Sequence, residues 1–338
     1  MKRLAYLSGL AGLLLLIILV VREGWPEMLA AFRRAGWPLL LLLPAHLVPL
    51  VFDTQAWRVL LEPVDPKRIA GFPFLLWVAA IREAVNRLLP VANIGGEIVG
   101  VRLGLLRMSD TNAVTATVIV EVLVTIVVQY LFCGLGIVLM MHIAAGMNQV
   151  WTIAAGLLLS LPLPVLIYLL LRHGAVFERL EAWADRLLGE YNRFSLGLDG
   201  VKLDADIHRL FADPWRLIRA LAWQLAGYLV STFETWFALT LLGHPVSLST
   251  ALAIEALTQA TRHAVFIVPA GLGIQEAAVM LFGHLAGVGS DVSLSLALIK
   301  RAREILFGVP VLLWWQWVEA RQLRKSKSPP DTGISDSA

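Results

Sequence analysis

Long apolar runs decide what this chain can fold into. Residues 10–21, 38–43, 114–141 and 151–171 are long enough, or nearly so, to cross a hydrocarbon layer of ~30 Å. They lack the alternating polarity of membrane β-strands. The chain therefore reads as an all-α polytopic membrane protein. Composition agrees: of 338 residues, 58% are hydrophobic and only 16% charged, with a mean hydropathy of +0.73. Soluble domains carry more charge.

Several functions are excluded early. The single cysteine, Cys133, lies in an apolar run, so it makes neither an internal disulfide nor a zinc site. The net charge of +3 is ordinary for a bacterial inner-membrane protein and does not point to nucleic acid. His46, His142, His263 and His284 show no ligand spacing and are expected in core or interfacial places. No Walker A sequence, nucleotide fingerprint or H-E-x-x-H occurs, so neither a metal nor a cofactor is expected. The tryptophans, among them Trp25, Trp37, Trp314, Trp315 and Trp317, mostly flank helices as an interfacial belt does.

Spanning helices are expected at about 4–21, 38–61, 112–141, 150–171, 215–242 and 291–319, six in all. The first lacks a small-x-small cleavage pattern and reads as a retained helix. Two apolar regions, about 72–106 and 248–287, are interrupted. The charged segment 172–214 spaces Phe177, Leu180, Trp183, Leu187 and Tyr191 by three and four, as a surface amphipathic helix would. The membrane domain is expected to cover 1–323, with a disordered cytoplasmic tail at 324–338.

Lys and Arg set the orientation. With the N-terminus inside and both interrupted regions re-entrant, 19 of the 28 basic residues are cytoplasmic, three are outside and six lie at membrane depth. That asymmetry predicts an N-in, C-in chain with six crossings and two re-entrant hairpins.

The interruptions resemble each other. "REAVNRLLPVANIGGE" (82–97) and "TRHAVFIVPAGLGIQE" (261–276) both place glutamate seven residues after proline, with two glycines between. Gln55-Ala56-Trp57 stands as far before Pro90 as Glu234-Thr235-Trp236 does before Pro269. Ser109-Asp110 and Ser290-Asp291 open the next long helices. The chain is thus read as an internal repeat, about 38–145 and 215–319, inverted because one unit starts outside and the other inside. Inverted repeats with broken helices are a transporter plan. Irregular backbone at membrane depth survives only when buried in protein or lining a cavity.

Pro90 and Pro269 break the helices, and Gly95, Gly96, Gly271 and Gly273 supply unusual backbone conformations. A half-helix starting near Gly273 would aim its positive end inward, where a phosphate or carboxylate fits. Charge carries more information. Arg82, Glu83, Arg87, Glu97, Glu121, Arg262, Glu276, Lys300, Arg301, Arg303 and Glu304 all fall in apolar segments, accompanied by Asn86 and Asn93. Each charge costs about 2.5–3.5 kcal/mol at a helix centre, so they should face one another or a hydrated cavity. Lys300 and Glu304 are spaced to pair, and so are Arg301 and Glu304. Arg82, Arg87 and Arg262 are the expected contacts to an anionic headgroup.

"LLPVANIGGEIVGVRL" (88–103), "FIVPAGLGIQEAAVMLFG" (266–283) and "LALIKRAREILFGVP" (296–310) together resemble the lysylphosphatidylglycerol synthase transmembrane family of flippase-like proteins. With "REAVN" (82–86) the set looks most like the hopanoid-biosynthesis-associated branch, HpnL. The resemblance implies lipid movement across or within the inner membrane, with phospholipid or hopanoid as partner. In the synthases an aminoacyl-transfer domain follows the membrane domain. Here only 15 residues follow Leu323, so that activity is expected to be missing. Two other readings stand beside the transporter. An intramembrane polyprenyl or phospholipid phosphatase would need a nucleophile or base, and "PAGLGIQE" holds no Ser, Thr or His. A non-transporting scaffold for lipid-synthesis enzymes is the third.

Overall fold

The computed structural model describes residues 36–89, 91, 94–144, 155, 158, 162–179, 198–265 and 273–325. The expected helix at 4–21, the first part of that at 150–171 apart from residues 155 and 158, most of that at 177–191, the tail beyond 325, and Pro90, Asn93, Pro269 and Gly271 lie outside the described residues. Everything regular among the described residues is helical.

A 3-10 turn, Trp37–Leu41, leads into α1, Leu42–Leu61. Next come α2, Phe72–Leu88, and α3, Gly95–Gly104. Then α4, Thr111–Ile143, begins under the Asp110 side chain, which accepts from Ala113 N at 3.2 Å. That is a standard N-cap satisfying an orphan amide. The segments α5, Pro162–His173, and α6, Gly200–Phe211, follow. The second set is α7, Pro214–Leu241, α8, Leu248–Ala264, α9, Ile274–Leu285, and α10, Ser290–Lys325. Asp213 caps α7 and Ser247 caps α8.

The helix lengths repeat: long, medium, short, long. At 1.5 Å per residue, α2, α3, α8 and α9 span only about 15–26 Å each, short of the hydrocarbon layer. Among the described residues two stretches have both the length and the apolarity to cross it, Trp37–Leu61 with mean hydropathy 1.5 and Thr111–Ile143 with 2.5. Helix α4 is apolar all round. It buries Val120, Val128 and Phe132 and exposes Val127, Leu131 and Leu135 on the other side, as a helix between protein and lipid does. Helices α7 and α10 have the length, but α10 carries Lys300, Arg301, Arg303 and Glu304 in its middle.

The contacts repeat as well. Helix α2 packs on α3, and α8 on α9. Helix α2 also packs on α10, and α8 on α4. The hairpin of each set therefore rests on the last long helix of the other set. At the centre α1 packs along α7. This pair is antiparallel: His46 meets Glu234, Asp53 meets Gln224, and Glu62 meets Arg219. Glycine sits at each of these three crossings. A Cβ on Gly136 of α4 would lie 2.6 Å from Ala256, one on Gly308 of α10 2.6 Å from Leu88, and one on Gly227 of α7 3.1 Å from Phe52. Small residues allow such close backbone approach between membrane helices.

Outside this core, α6 is amphipathic. It buries Leu203, Ile207, Leu210 and Phe211 against α4 and α5. Part of the charged linker is thus docked on the bundle.

Candidate functional site

Helix α2 brings Arg82 into the interior, 7% exposed. Its guanidinium lies 5.0 Å from the Trp57 ring centroid. It pairs with Glu97, in the first turn of α3, and with Glu121 of α4 at 2.8 Å. One turn on, Asn86 Oδ1 accepts from Gly96 N at 2.8 Å and Asn86 Nδ2 donates to Glu97 at 3.3 Å. The α3 backbone must lie close for this. A Cβ on Gly96 would run into Arg82 O and come within 2.6 Å of Asn86 Nδ2, and one on Gly100 would sit 2.6 Å from Arg82 Cδ. Gly96 is therefore needed for space. The expected unusual backbone conformation is found at Gly273 instead, the N-cap of α9, with φ +76.

The second set builds a denser network. Arg262 of α8 contacts Gln275 of α9 and pairs with Glu304 of α10 at 2.6 Å. Arg301 pairs with Glu304 at 3.1 Å, as its spacing predicts, and with Glu276 of α9 at 3.1 Å. The expected pairing of Lys300 with Glu304 is not the one found: Lys300 pairs with Glu255 of α8. Glu304 already faces three guanidiniums, those of Arg262, Arg301 and, more loosely, Arg87, whereas Lys300 is the cation that meets Glu255. Thr235 and Gln259 also donate to Glu255.

Between the sets, His46 of α1 lies 2.9 Å from Glu83 and 3.0 Å from Glu234, with Arg303 against the ring. Arg303 Nε is 3.4 Å from Glu234. Arg87 stands 3.7 Å from both Glu83 and Glu304, with a quarter of its side chain exposed. These loose distances make Arg87 the least tightly held of the four arginines that line the cavity between the sets.

A cavity of about 340 Å³ opens at the junction, lined from both sets. Of the expected site residues, Arg82, Glu83, Asn86, Arg87, Glu97, Glu121, Arg262, Lys300, Arg303 and Glu304 line it. Glu276 and Arg301 brace it from behind through Glu304 and each other. Arg82 and Arg262, expected to meet a headgroup, are each tied to side chains of the protein. His46, expected in a core or interfacial place, and His263 line the cavity too. Cys133 is buried as expected.

The sequence reading passed over Asp53, Glu234 and Glu255, which also line the cavity, together with the uncharged Gln224 and Gln275. The cost of charge in apolar segments flags all three acids. Nothing in their own spacing flags the two glutamines. At cavity depth the first set holds four carboxylates (Asp53, Glu83, Glu97, Glu121) against Arg82 and Arg87. The second balances four (Glu234, Glu255, Glu276, Glu304) against Arg262, Lys300, Arg301 and Arg303. Among the described residues no group of three or more His, Cys, Asp or Glu is placed to hold a metal ion.

Comparison with curated proteins and with solved structures gave no match. The family model described as the lysylphosphatidylglycerol synthase TM region matches residues 6–311. That span takes in every helix described above except the end of α10, and with it the whole charged cavity: the chain belongs to the lysylphosphatidylglycerol synthase TM-region family.

Proposed function

We propose that this protein is a lipid transporter of the flippase type in a bacterial inner membrane, handling a phospholipid or hopanoid as the HpnL branch would. The observation that carries the reading is the charged cavity, built jointly by two sets of helices in a chain from a lipid-related membrane family. A polar headgroup would enter the cavity while its tail stayed among lipids. Arg87, the loosest cation, would meet the headgroup first.

In this reading the two sets are inverted repeats, N-in and C-in, with six crossings, and α2–α3 and α8–α9 are re-entrant hairpins. The antiparallel run of α1 against α7 supports inversion. Rocking of one set against the other would expose the cavity to each side in turn. In this scheme the membrane region acts beside lipid-synthesis enzymes.

The test is reconstitution into phosphatidylethanolamine–phosphatidylglycerol vesicles with trace fluorescent lipids of anionic, zwitterionic and cationic headgroup, and a labelled polyprenyl phosphate. Movement between leaflets is read by quenching from outside. Glu97→Ala and Glu276→Ala are each expected to abolish movement of the transported lipid while the protein still accumulates in membranes. Wild-type rates in both variants would sink the proposal. Release of free phosphate from the polyprenyl phosphate would favour an enzyme instead.

A further inference from the structure

The two sets differ in charge, and the difference is concentrated on α1 and α4. In the first set Arg87 is engaged by Glu83 and Glu304, and Arg82 alone serves both Glu97 and Glu121. Asp53 has no cation within ion-pair distance among the described residues. Its partner is a neutral amide: Gln224 Nε2 donates to Asp53 Oδ1 at 3.3 Å and to Thr125 Oγ1 at 2.8 Å. Thr125 in turn donates to the Glu121 carbonyl at 2.9 Å. One chain of contacts thus joins Asp53 on α1, through α7, to the turn of α4 that carries Glu121.

A second observation comes from the other end of that amide. Gln224 is 2% exposed, lines the cavity, and its Oε1 has no donor among the described residues. A buried acceptor beside a carboxylate without a cation lacks one thing, a donated hydrogen. Protonating Asp53 would supply an O–H at that place and remove an uncompensated charge from membrane depth. The other groups facing this pocket do not supply one. Arg82 is held by Glu97 and Glu121 through Nη2, and its Nη1, also without a partner among the described residues, makes no hydrogen bond to Gln224; Arg303 is held by Glu234 and His46, while Glu83 is an acceptor that adds negative charge. Tyr228 lines the same space from α7.

We propose that Asp53, beside Gln224, is a proton-binding site, and that a proton crosses with the lipid as its driving co-substrate. The proton adds to a carboxylate oxygen from the side to which the cavity opens. It leaves from the same oxygen to the other side after the sets rock, with no electron transferred. This rests on the transporter reading for the coupling, but the binding site itself does not.

Two measurements separate the parts. Infrared difference spectra of purified protein report the carbonyl stretch of a protonated carboxyl. At neutral pH the wild type is expected to show this band, titrating at higher pH. Asp53→Asn should remove it, and Glu255→Gln, which alters a carboxylate already paired with Lys300, should leave it. A wild type with no band at neutral pH, or a band that survives in Asp53→Asn, overturns the proposal. The second measurement imposes a pH gradient on proteoliposomes containing trace fluorescent phosphatidylglycerol and the labelled lipids above. One proton carried per lipid gives a leaflet ratio of about tenfold per pH unit, collapsed by a proton–potassium exchanger and missing in Asp53→Asn. Lipid movement with a ratio indifferent to the gradient overturns the coupling. Should the wild type move none of the lipids and yet show the titrating band, the transporter reading fails and the proton site stands.

Discussion

Arg82 and Arg301 do the same job from different helices. Each is held by the glutamate in the first turn of a short helix, Glu97 on α3 and Glu276 on α9. Arg82, however, comes from the hairpin helix α2, and Arg301 from the last long helix α10. Its long-helix counterpart in the first set, α4, presents an acid, Glu121. The helical plan is shared while the charges are exchanged and, in the first set, left unequal. A repeated scaffold fixes where a charged group can stand, and each copy remains free to choose its sign.

The comparison can be broken most directly at Glu304. Glu304→Ala strands Arg262, whose other partner is the neutral Gln275, leaves Arg301 to Glu276 and loosens Arg87, all at a side chain 2% exposed. Leaving buried charge unpaired costs about 3–5 kcal/mol. Glu97→Gln in the first set should cost about 1 kcal/mol, because Glu121 still holds Arg82. Thermal unfolding in detergent compares the two, and equal losses would mean that the sets are not differently charged in effect.

His46→Ala comes next. It leaves Glu83 and Glu234 facing one another without the ring between them, at about 1–3 kcal/mol for groups left unsatisfied. A stability unchanged within error would show that His46 does not clasp the sets.

The two glycines separate by mechanism. Gly96→Ala should cost about 1–3 kcal/mol by overpacking against Arg82 and Asn86. Gly273→Ala should cost about 1–2 kcal/mol through its positive φ, since open space surrounds it. Asparagine sharpens the contrast: it tolerates the left-handed region at 273 and is worse than alanine at 96.

The smallest effect belongs to the pair outside the membrane spans, Lys202 with Asp110 at 2.9 Å. The Lys202 hydrogen bond holds the Asp110 carboxyl below its ordinary value of 3.8. The contribution is therefore present above that value and lost as pH falls through the lower folded one. Lys202→Met should lower the unfolding midpoint slightly at neutral pH. That difference should vanish in acid and in high salt.

Much of this was legible from residue type. Charges at 82, 97, 262, 276 and 304 stood out because apolar neighbours make them expensive. Asp110 could be read as a helix start from its side chain alone. Partners across helices could not be read. The spacing of Lys300 and Glu304 fits a pair on one helix, but Glu304 faces Arg262 and Lys300 faces Glu255. Local spacing does not know which way a helix face is turned, and that is set by α8 and α9 packing. His46 was passed over for the same reason. A lone histidine in an apolar run carries no signal until α2, α7 and α10 bring Glu83, Glu234 and Arg303 to it.

The crossed support of the hairpins has a consequence for how the protein is made. Helix α2 leans on α10, and Arg87 finds Glu304 only when the last long helix exists. At roughly 5–20 residues per second, the ribosome needs on the order of ten seconds or more to travel from one to the other. Throughout that interval the first hairpin exists with its permanent neighbour unmade. Arg82 meets Glu97 and Glu121 within the first set during that wait, whereas Arg87 has Glu83 alone until Glu304 is made.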